Sequence, residues 1–405
     1  ARSEHDYVEE AGKHRLEASA RFRNFRVHRP QIHENNGAAK LMLPCEARLR
    51  NFTYAAAMTC DVEFTYLIRT GEKLENERTV VTVLKDTHIG KLPVMLNSNI
   101  CMLRKHAHLG AAALGECRLD PGGYFVINGS EKTCLAQERG AENMVHCFPT
   151  TKAATKHSWS AEIKSLRPGS NVSPKQTTMF AASRACDGNL SITVQIPRLR
   201  TPLPLFVVFR ALGVIADEDI CGVIALGTDG DADLPVLSAL RGCAEEGAHV
   251  MSQDEAATVL AGASAYAPYN RDEGDATKHQ QSTALSALSN DLFPHCSTQE
   301  ERIVFLGYMA NRLVKRSLGL EPVDDRDSYR NKRIDLTGAL LNNLFRNYFH
   351  KLVKDMQKQL VREINNGSWR TTESYGNIVN LTNVYKVVKA ATVENGLRRA
   401  LSTGD

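Results

Sequence analysis

The clearest hydrophobic pattern in the chain lies between residues 336 and 365. Its apolar positions recur at helical spacing, in the order Leu341, Leu344, Phe345, Tyr348, Leu352, Met356, Leu360 and Ile364. Asn366 and Gly367 follow as a stop signal, because glycine readily adopts the left-handed conformation that ends helices. The pattern predicts one amphipathic helix, about 45 Å long at a rise of about 1.5 Å per residue.

A second helix is predicted after a polar capping sequence. Ser297-x-x-Glu300 and Thr298-x-x-Glu301 both match a capping box, and the two remain alternatives. Apolar residues then recur at helical spacing, and Gly319 ends the segment. By contrast, the polar residues from 262 to 281 predict a mobile loop.

Alternating apolar and polar residues indicate strands elsewhere in the chain. Residues 59–82 alternate around a charged loop at 71–73, and residues 177–197 hold two alternating runs around Asp187-Gly188-Asn189. In residues 115–139, Asn128-Gly129 is the strongest two-residue hairpin signal, since both turn positions need positive φ. We expect the return strand of this hairpin to carry the polar residues Lys132, Gln137, Glu138 and Arg139. The combined patterns are typical of an α+β fold.

Composition narrows the class of protein only moderately. At 405 residues the chain should hold two or three domains, and 42% hydrophobic with 24% charged residues is ordinary for a globular protein. No apolar stretch is long enough to cross a bilayer, and the charged first residues predict no secretory signal. The ten cysteines form no C-x-x-C pair, which predicts reduced thiols and neither a structural zinc site nor a disulfide scaffold.

Charge is unevenly distributed along the chain, although the formal net charge is only +4. Residues 321–405 contain 14 Lys and Arg against 10 Asp and Glu, which accounts for the whole surplus. Residues 216–255 contain ten acidic side chains and a single basic residue, Arg241. That acidic segment would repel a phosphate backbone and suits solvent or a basic protein partner.

The densest basic cluster consists of Arg326, Arg330, Lys332 and Arg333, interleaved with three aspartates. Two interpretations stay open. These side chains either contact nucleic-acid phosphates or form internal ion pairs that fix a joint between domains. A further basic stripe on the long predicted helix is interpreted as its solvated face: Arg346, His350, Lys354, Lys358 and Arg362.

The sequence offers no self-sufficient active site. It contains no G-x-x-x-x-G-K-[ST], G-x-S-x-G or H-E-x-x-H motif. Asp229, Asp231 and Asp233 have the alternate spacing of some Mg²⁺ sites, but Asp and Gly are turn residues, and we interpret the segment as an exposed acidic turn. His106 and His108 lack further ligands nearby in sequence and are interpreted as surface residues.

Six blocks of the sequence resemble one family, the second-largest subunit of multisubunit DNA-directed RNA polymerases in its eukaryotic and archaeal form. The blocks occur in the family's order: PCEARLRNFTY at 44–54, LPVMLNS at 92–98, GECRLDPGGYFVINGSEKTCLAQER at 115–139, FLGYM at 305–309, DDRD with NKRIDL at 324–336, and GLRRALSTGD at 396–405. Within the third block, the intact motifs GSEK at 129–132 and AQER at 136–139 favour a polymerase II-like member.

The resemblance implies a mixed protrusion domain with an inserted α/β lobe. Residues 1–150 would form the first part of the protrusion, 151–322 the lobe, and 323–405 the second part, which leads to the fork region. Because the family's subunit is much longer, we expect this chain to be its amino-terminal portion.

The resemblance also implies a function in transcription. The chain would form one wall of the DNA cleft in a nucleotidyltransferase, contact DNA, the RNA–DNA hybrid and basal factors, and have no activity alone. Lys132, Gln137 and Arg139 would lie towards the cleft. No cofactor is expected in this portion, because Mg²⁺ is held by the largest subunit. The expected partners are that subunit and the other polymerase subunits, and the expected location is the nucleus.

One departure keeps other assignments open. Ser328-Tyr329-Arg330 stands where the family pattern has His, an aromatic residue and Gly. A polymerase III-like or viral paralogue, cytoplasmic if viral or archaeal-like, therefore remains an alternative. So does a stand-alone module that binds nucleic acid or a factor.

Overall fold

A computed structural model describes residues 2–9, 12–71, 75–150, 157–169, 172–183, 190–226, 234–264, 273–367 and 375–404. Its strands are β1 (Arg2–Glu9), β2 (Gly12–His33), β3 (Ala39–Leu41), β4 (Ala55–Thr70), β5 (Asn76–Pro93), β6 (Phe125–Ile127), β7 (Ser130–Lys132), β8 (Gln137–Gly140), β9 (Val145–Pro149), β10 (Trp159–Ser165), β11 (Lys175–Ser183), β12 (Leu190–Gln195), β13 (Leu203–Pro204) and β14 (Lys332–Asp335). Its helices are α1 (Pro44–Leu49), α2 (Met102–Lys105), α3 (Leu205–Ala211), α4 (Asp217–Ile224), α5 (Leu234–Ala239), α6 (Arg241–Gly247), α7 (Gln253–Ala263), α8 (Glu273–Asn290), α9 (Gln299–Ser317), α10 (Thr337–Asn366), α11 (Val384–Val387) and α12 (Ala390–Thr403). Among the helices described, none has the length and apolar character to span a membrane.

The chain divides into two compact units. The first comprises residues 1–137 and 335–405, and the second comprises residues 138–334, which interrupt the first in sequence. Both units combine antiparallel strands with helices, so the predicted α+β class is confirmed. Equating the units with the protrusion and the lobe, and the boundaries expected at 150 and 322, stays a prediction.

The first unit is built on a long antiparallel sheet with the order β1-β2-β4-β5, and β3 pairs with the far end of β2. Alternate residues of β4 are fully buried, among them Val62, Phe64 and Tyr66, because successive side chains of a strand point to opposite faces. The strand pattern predicted over 59–82 is therefore confirmed. Residues 72–74 of its loop lie outside the described residues.

Helix α10 covers that sheet and confirms the predicted long helix. It runs from Thr337 to Asn366 and ends at Gly367, whose φ of 64° is left-handed. The C-terminal half of the apolar stripe is buried in the same core as β4, and comprises Leu352, Met356, Leu360 and Ile364. The N-terminal half of the stripe is only half-buried. Helix α12 adds Val393 and Leu397 to this core.

The predicted hairpin forms, but it is shorter than expected. Asn128 and Gly129 have φ angles of 49° and 81° and join β6 to β7. Phe125 pairs with Lys132, and no residue of β6 precedes it, because Gly122 and Gly123 adopt positive φ and break the strand. The return strand therefore ends at Lys132. Placing Gln137, Glu138 and Arg139 on it was wrong, since they lie in β8, which pairs with β14.

The second unit has an antiparallel sheet with the order β13-β12-β11-β10-β9, packed against helices α3 to α9. The strands predicted over 177–197 are confirmed as β11 and β12, although Asp187-Gly188-Asn189 lies outside the described residues. Arg210 is a buried residue of α3, and its Nη1 donates to the carbonyl oxygens of Gly247 and Val250 at 2.5 Å each. Its Nη2 pairs with Asp217 at 2.5 Å and its Nε donates to the Ile215 carbonyl at 3.2 Å, so the buried cation has both a counter-ion and backbone acceptors.

Two sequence predictions in this unit have different outcomes. Thr298 is the cap of α9: its hydroxyl accepts from the Glu301 amide at 3.2 Å, and the Glu301 carboxylate accepts from the Thr298 amide at 3.3 Å. The loop predicted over 262–281 is wrong at both ends, because residues 262–263 belong to the end of α7 and residues 273–281 belong to α8. That helix is anchored by Ala284 and Leu288 in the core, and tertiary packing overrides its polar composition. Residues 265–272 lie outside the described residues.

Candidate nucleic-acid interface

The seven predicted site residues are divided between the two units. Lys132 and Gln137 belong to the first unit, whereas Arg139 and the basic cluster belong to the second. The cluster lies on one short stretch of chain: a single 3₁₀ turn, Tyr329–Asn331, leads directly into β14. The structure therefore brings Arg330, Lys332 and Arg333 together through local geometry.

Asp324 fixes the start of this stretch. Its Oδ1 accepts from Nη2 of both Arg312 and Arg316 on α9 at 3.0 Å each, and its Oδ2 accepts from the Cys147 amide at 2.8 Å. These charge-assisted bonds occupy both carboxylate oxygens. Asp324 is thus committed to two arginines outside the cluster and neutralises none of the cluster's cations.

Two members of the cluster are neutralised within the second unit. Arg326 pairs with Glu162 on β10, and its guanidinium lies 4.3 Å from the centre of the Phe148 ring. Lys332 lies 3.1 Å from the Glu138 carboxylate on β8 and 3.8 Å from that of Asp327. For these two residues the internal ion-pair interpretation describes the contacts.

The other two members, Arg330 and Arg333, are exposed and have no acidic partner among the described residues. The Nη1 of Arg333 donates to the backbone carbonyls of Arg330 at 3.2 Å and of Lys332 at 2.8 Å. Those bonds orient the guanidinium without cancelling its charge. The cluster therefore splits into two neutralised cations and two that are available to an anionic ligand.

The turn that presents these arginines is held by several hydrogen bonds. Asp325 accepts from the Asp327 amide at 2.9 Å, and the side-chain amide of Asn331 donates to the Asp325 carbonyl at 2.7 Å. The backbone amide of Asn331 donates to the Ser328 carbonyl at 2.9 Å, which closes the turn. The Asn331 carbonyl accepts from the Ala141 amide at 2.8 Å. These hydrogen bonds consequently restrain the backbone around Tyr329 and Arg330.

Tyr329 is a surface residue that was not among the predicted site residues. Its side chain is 85% exposed, and it begins the 3₁₀ turn that also carries Arg330. Its hydroxyl has no hydrogen-bond partner and its ring no aromatic or cationic neighbour within the described part of the chain. An aromatic residue adjacent to a basic cluster was the signal that could have identified it.

The remaining predicted residues differ in their surroundings. Lys132 is half-buried at the end of β7 and has no carboxylate partner among the residues described, and Gln137 is exposed. Arg139 forms an ion pair with Glu142, three residues later. On α10, His350, Lys354, Lys358 and Arg362 are exposed, as predicted for a solvated face, whereas Arg346 is half-buried. The roles of Lys132, Gln137 and Arg139 towards nucleic acid stay predictions.

The described residues do not meet the requirements of a metal site. No group of three or more His, Cys, Asp or Glu residues among them could hold a metal ion. Asp229, Asp231 and Asp233 lie outside the described residues. Burial lowers the pKa of His146 on β9, although Asp324 and Glu162 act in the opposite direction.

Comparison with known proteins identifies the class as subunits of DNA-directed RNA polymerases. The family model described as RNA polymerase beta subunit matches residues 2–394. This chain belongs to that family, as the order of its six motif blocks predicted.

Three relatives show the breadth of the similarity. The chain is 33% identical to DNA-directed RNA polymerase II subunit 2 of Arabidopsis thaliana over 93% of its own length. It is 30% identical to DNA-directed RNA polymerase subunit Rpo2N of Methanococcus vannielii over 95%, and 26% identical to DNA-directed RNA polymerase III subunit rpc2 of Dictyostelium discoideum over 95%. It spans 30% of the Arabidopsis protein, 70% of the archaeal protein and 22% of the Dictyostelium protein.

Proposed function

We propose that this chain acts in transcription as the protrusion and lobe portion of the second-largest subunit of a polymerase II-like enzyme. Family membership over residues 2–394 supports the assignment, and identity is higher to the polymerase II relative than to the polymerase III relative. The chain would contribute surface and shape to the enzyme. In the whole enzyme, Mg²⁺ held by the largest subunit would supply the phosphoryl-transfer chemistry.

The proposed contribution of this portion is to hold nucleic acid along the cleft. The observation that carries the proposal is the split in the basic cluster: Arg330 and Arg333 are exposed and lack acidic partners in the part of the chain that the structure describes, whereas Arg326 and Lys332 are paired. Cations that are already neutralised add little to phosphate binding. An available arginine that contacts a phosphate releases a counterion and strengthens binding at low salt.

The proposed partners follow from the same assignment. The largest subunit and the other polymerase subunits would surround this chain, and DNA and the RNA–DNA hybrid would lie in the cleft. Residues 216–255, with ten acidic side chains, would suit a basic surface on a basal factor. The relatives that are named as polymerase II subunits favour a nuclear location.

The nucleic-acid proposal can be tested with two double variants that change net charge equally. Arg330→Gln/Arg333→Gln removes the available pair, and Arg326→Gln/Lys332→Gln removes the neutralised pair. Affinity for a DNA duplex of about 20 base pairs would be measured by fluorescence anisotropy between about 50 and 200 mM salt.

We expect the first double variant to reduce the slope of log K against log salt by about 1.8, since each phosphate contact on duplex DNA contributes about 0.9. The second double variant should reduce it much less. An unchanged slope for Arg330→Gln/Arg333→Gln would refute the phosphate contact and would leave the cluster with a structural role only.

The assignment to a polymerase has its own test. The chain should support no RNA primer extension with Mg²⁺ and nucleotides alone, and within its native complex it should co-purify with a larger subunit. Primer extension by the isolated chain would contradict the proposal.

A further inference from the structure

We propose that Tyr329, which is followed in the chain by Arg330 and Arg333, is a stacking site for an unpaired base of single-stranded nucleic acid. The inference rests on the proposed function in one respect only, which is that this part of the chain meets nucleic acid. It adds that the nucleic acid is single-stranded and that Tyr329 contacts its base.

The exposure of Tyr329 is the first observation. A tyrosine side chain usually buries much of its ring and gives its hydroxyl a partner, yet this one is 85% exposed. Its ring and hydroxyl are without partners within the described part of the chain. One exposed apolar side chain would need no explanation by itself, but this one lies on a fixed turn and close in the chain to two available cations.

The second observation is that the ring stands on a fixed backbone. Asn331 ties the turn to the Ser328 and Asp325 carbonyls at 2.9 and 2.7 Å, and Ala141 on the neighbouring segment donates to the Asn331 carbonyl at 2.8 Å. A ring on a fixed turn is restricted to its side-chain torsions. Binding a flat ligand there costs less conformational entropy than it would on a flexible loop.

The third observation is the charge carried by the same short segment of chain as Tyr329. Arg330 follows Tyr329 directly, and Arg333 is oriented by the carbonyls of Arg330 and Lys332. Neither guanidinium has an acidic partner among the described residues. An exposed aromatic ring on the same five-residue segment as two available cations matches the chemistry of a nucleotide chain, which alternates a flat base with an anionic phosphate.

These features favour a single strand over a duplex. The bases of a duplex are already stacked on one another and present only their edges in the grooves, so an aromatic side chain has no face to cover. An unpaired base offers its whole face, and every base does so, which makes such stacking tolerant of sequence. The arginines alone would serve either form of nucleic acid, and Tyr329 would serve only the unpaired form.

The test measures binding of the 405-residue chain by fluorescence anisotropy. The probes are an oligothymidylate of about 20 nucleotides, the same backbone with abasic sites, and a duplex of equal length. The variants are Tyr329→Ala, Tyr329→Phe and, as a matched control, Tyr385→Ala, which alters a tyrosine that is 72% exposed in the other unit. Far-UV circular dichroism would verify that each variant is folded.

We expect Tyr329→Ala to weaken oligothymidylate binding by about 5- to 150-fold, the range measured for loss of one stacked base. Tyr329→Phe and Tyr385→Ala should bind the oligothymidylate like the wild type. Duplex affinity and the salt slope should be unchanged by Tyr329→Ala, and the abasic probe should not distinguish it from the wild type.

Failure of this inference and failure of the proposed function give different results. If Arg330→Gln/Arg333→Gln lowers the duplex salt slope while Tyr329→Ala binds oligothymidylate normally, the stacking site is refuted and the cleft contact stands. If the wild-type chain binds neither the oligothymidylate nor the duplex, the stacking site and the proposed cleft contact are both refuted. The surface would then contact a protein partner. Equal losses on oligothymidylate and abasic probe would also refute stacking.

Discussion

The contact between α12 and α10 provides the sharpest stability prediction. Gly396 is buried on α12 and faces Tyr348 of α10. A Cβ added to Gly396 would lie 2.5 Å from Cζ of the tyrosine ring and nearer still to Cδ1 and Cε1. Since carbon atoms pack at about 3.5–4.0 Å, the ring or the helix would have to move by about 1 Å or more in Gly396→Ala.

Two effects oppose each other in this variant. Overpacking of this kind costs about 1–3 kcal/mol. Alanine is better than glycine inside a helix by about 0.8–1.0 kcal/mol. We therefore expect the free energy of unfolding of the first unit to fall by about 1 kcal/mol, and by about 2 kcal/mol if the ring cannot move. For a unit of roughly two hundred residues, each kcal/mol corresponds to about 2–4 °C in Tm.

Urea unfolding followed by circular dichroism would measure the change, with Gly338→Ala as the matched control. Gly338 lies in α10 with open space around its Cα, so alanine there should be neutral or stabilising by up to about 1 kcal/mol. In a Tyr348→Ala background the overlap disappears, and Gly396→Ala should then become neutral or stabilising. Contacting residues of this kind couple by about 0.5–3 kcal/mol. A stabilising Gly396→Ala in the wild-type background, or no coupling to Tyr348, would refute the reasoning.

Two further predictions concern the second unit. Thr298→Ala should lower the free energy of unfolding by about 1 kcal/mol, because the Glu301 amide loses its acceptor, whereas Ser297→Ala should change it by less than about 0.5 kcal/mol. Equal effects in urea unfolding would contradict the assigned cap. Burial lowers the pKa of His295, whose Nδ1 lies 2.7 Å from the Ser165 hydroxyl. The unfolded state then binds more protons, so this contribution to stability is complete above about pH 6.5 and declines at lower pH. Thermal melts of His295→Asn should lose less stability between about pH 7 and 5, and an unchanged pH dependence would exclude this role.

The sequence predicted those elements whose signals are local. The stripe on α10, the stop at Gly367 and the turn at Asn128-Gly129 are all present, because each depends on residues that are near one another in the chain. The length of the return strand was not predictable in this way, because it depended on the pairing of β8 with a strand nearly two hundred residues later.

The candidate interface shows the same division. Sequence identified Arg326, Arg330, Lys332 and Arg333 as one cluster, since they are adjacent in the chain. It could not show which of them were neutralised, because Glu162 and Glu138 approach from distant strands. Nor could it show that Tyr329 is exposed, which is a property of the surrounding fold.

By itself, the sequence determined the family, the α+β class, the long helix and the position of the basic cluster. It could do so because sequence motifs, helical periodicity and turn signals all depend on residues that are neighbours in the chain. Only the tertiary structure decided which cations remain available to an anion and which side chains stay exposed. Ion pairing and burial depend on groups that are far apart in the chain, and folding alone brings those groups within bonding distance.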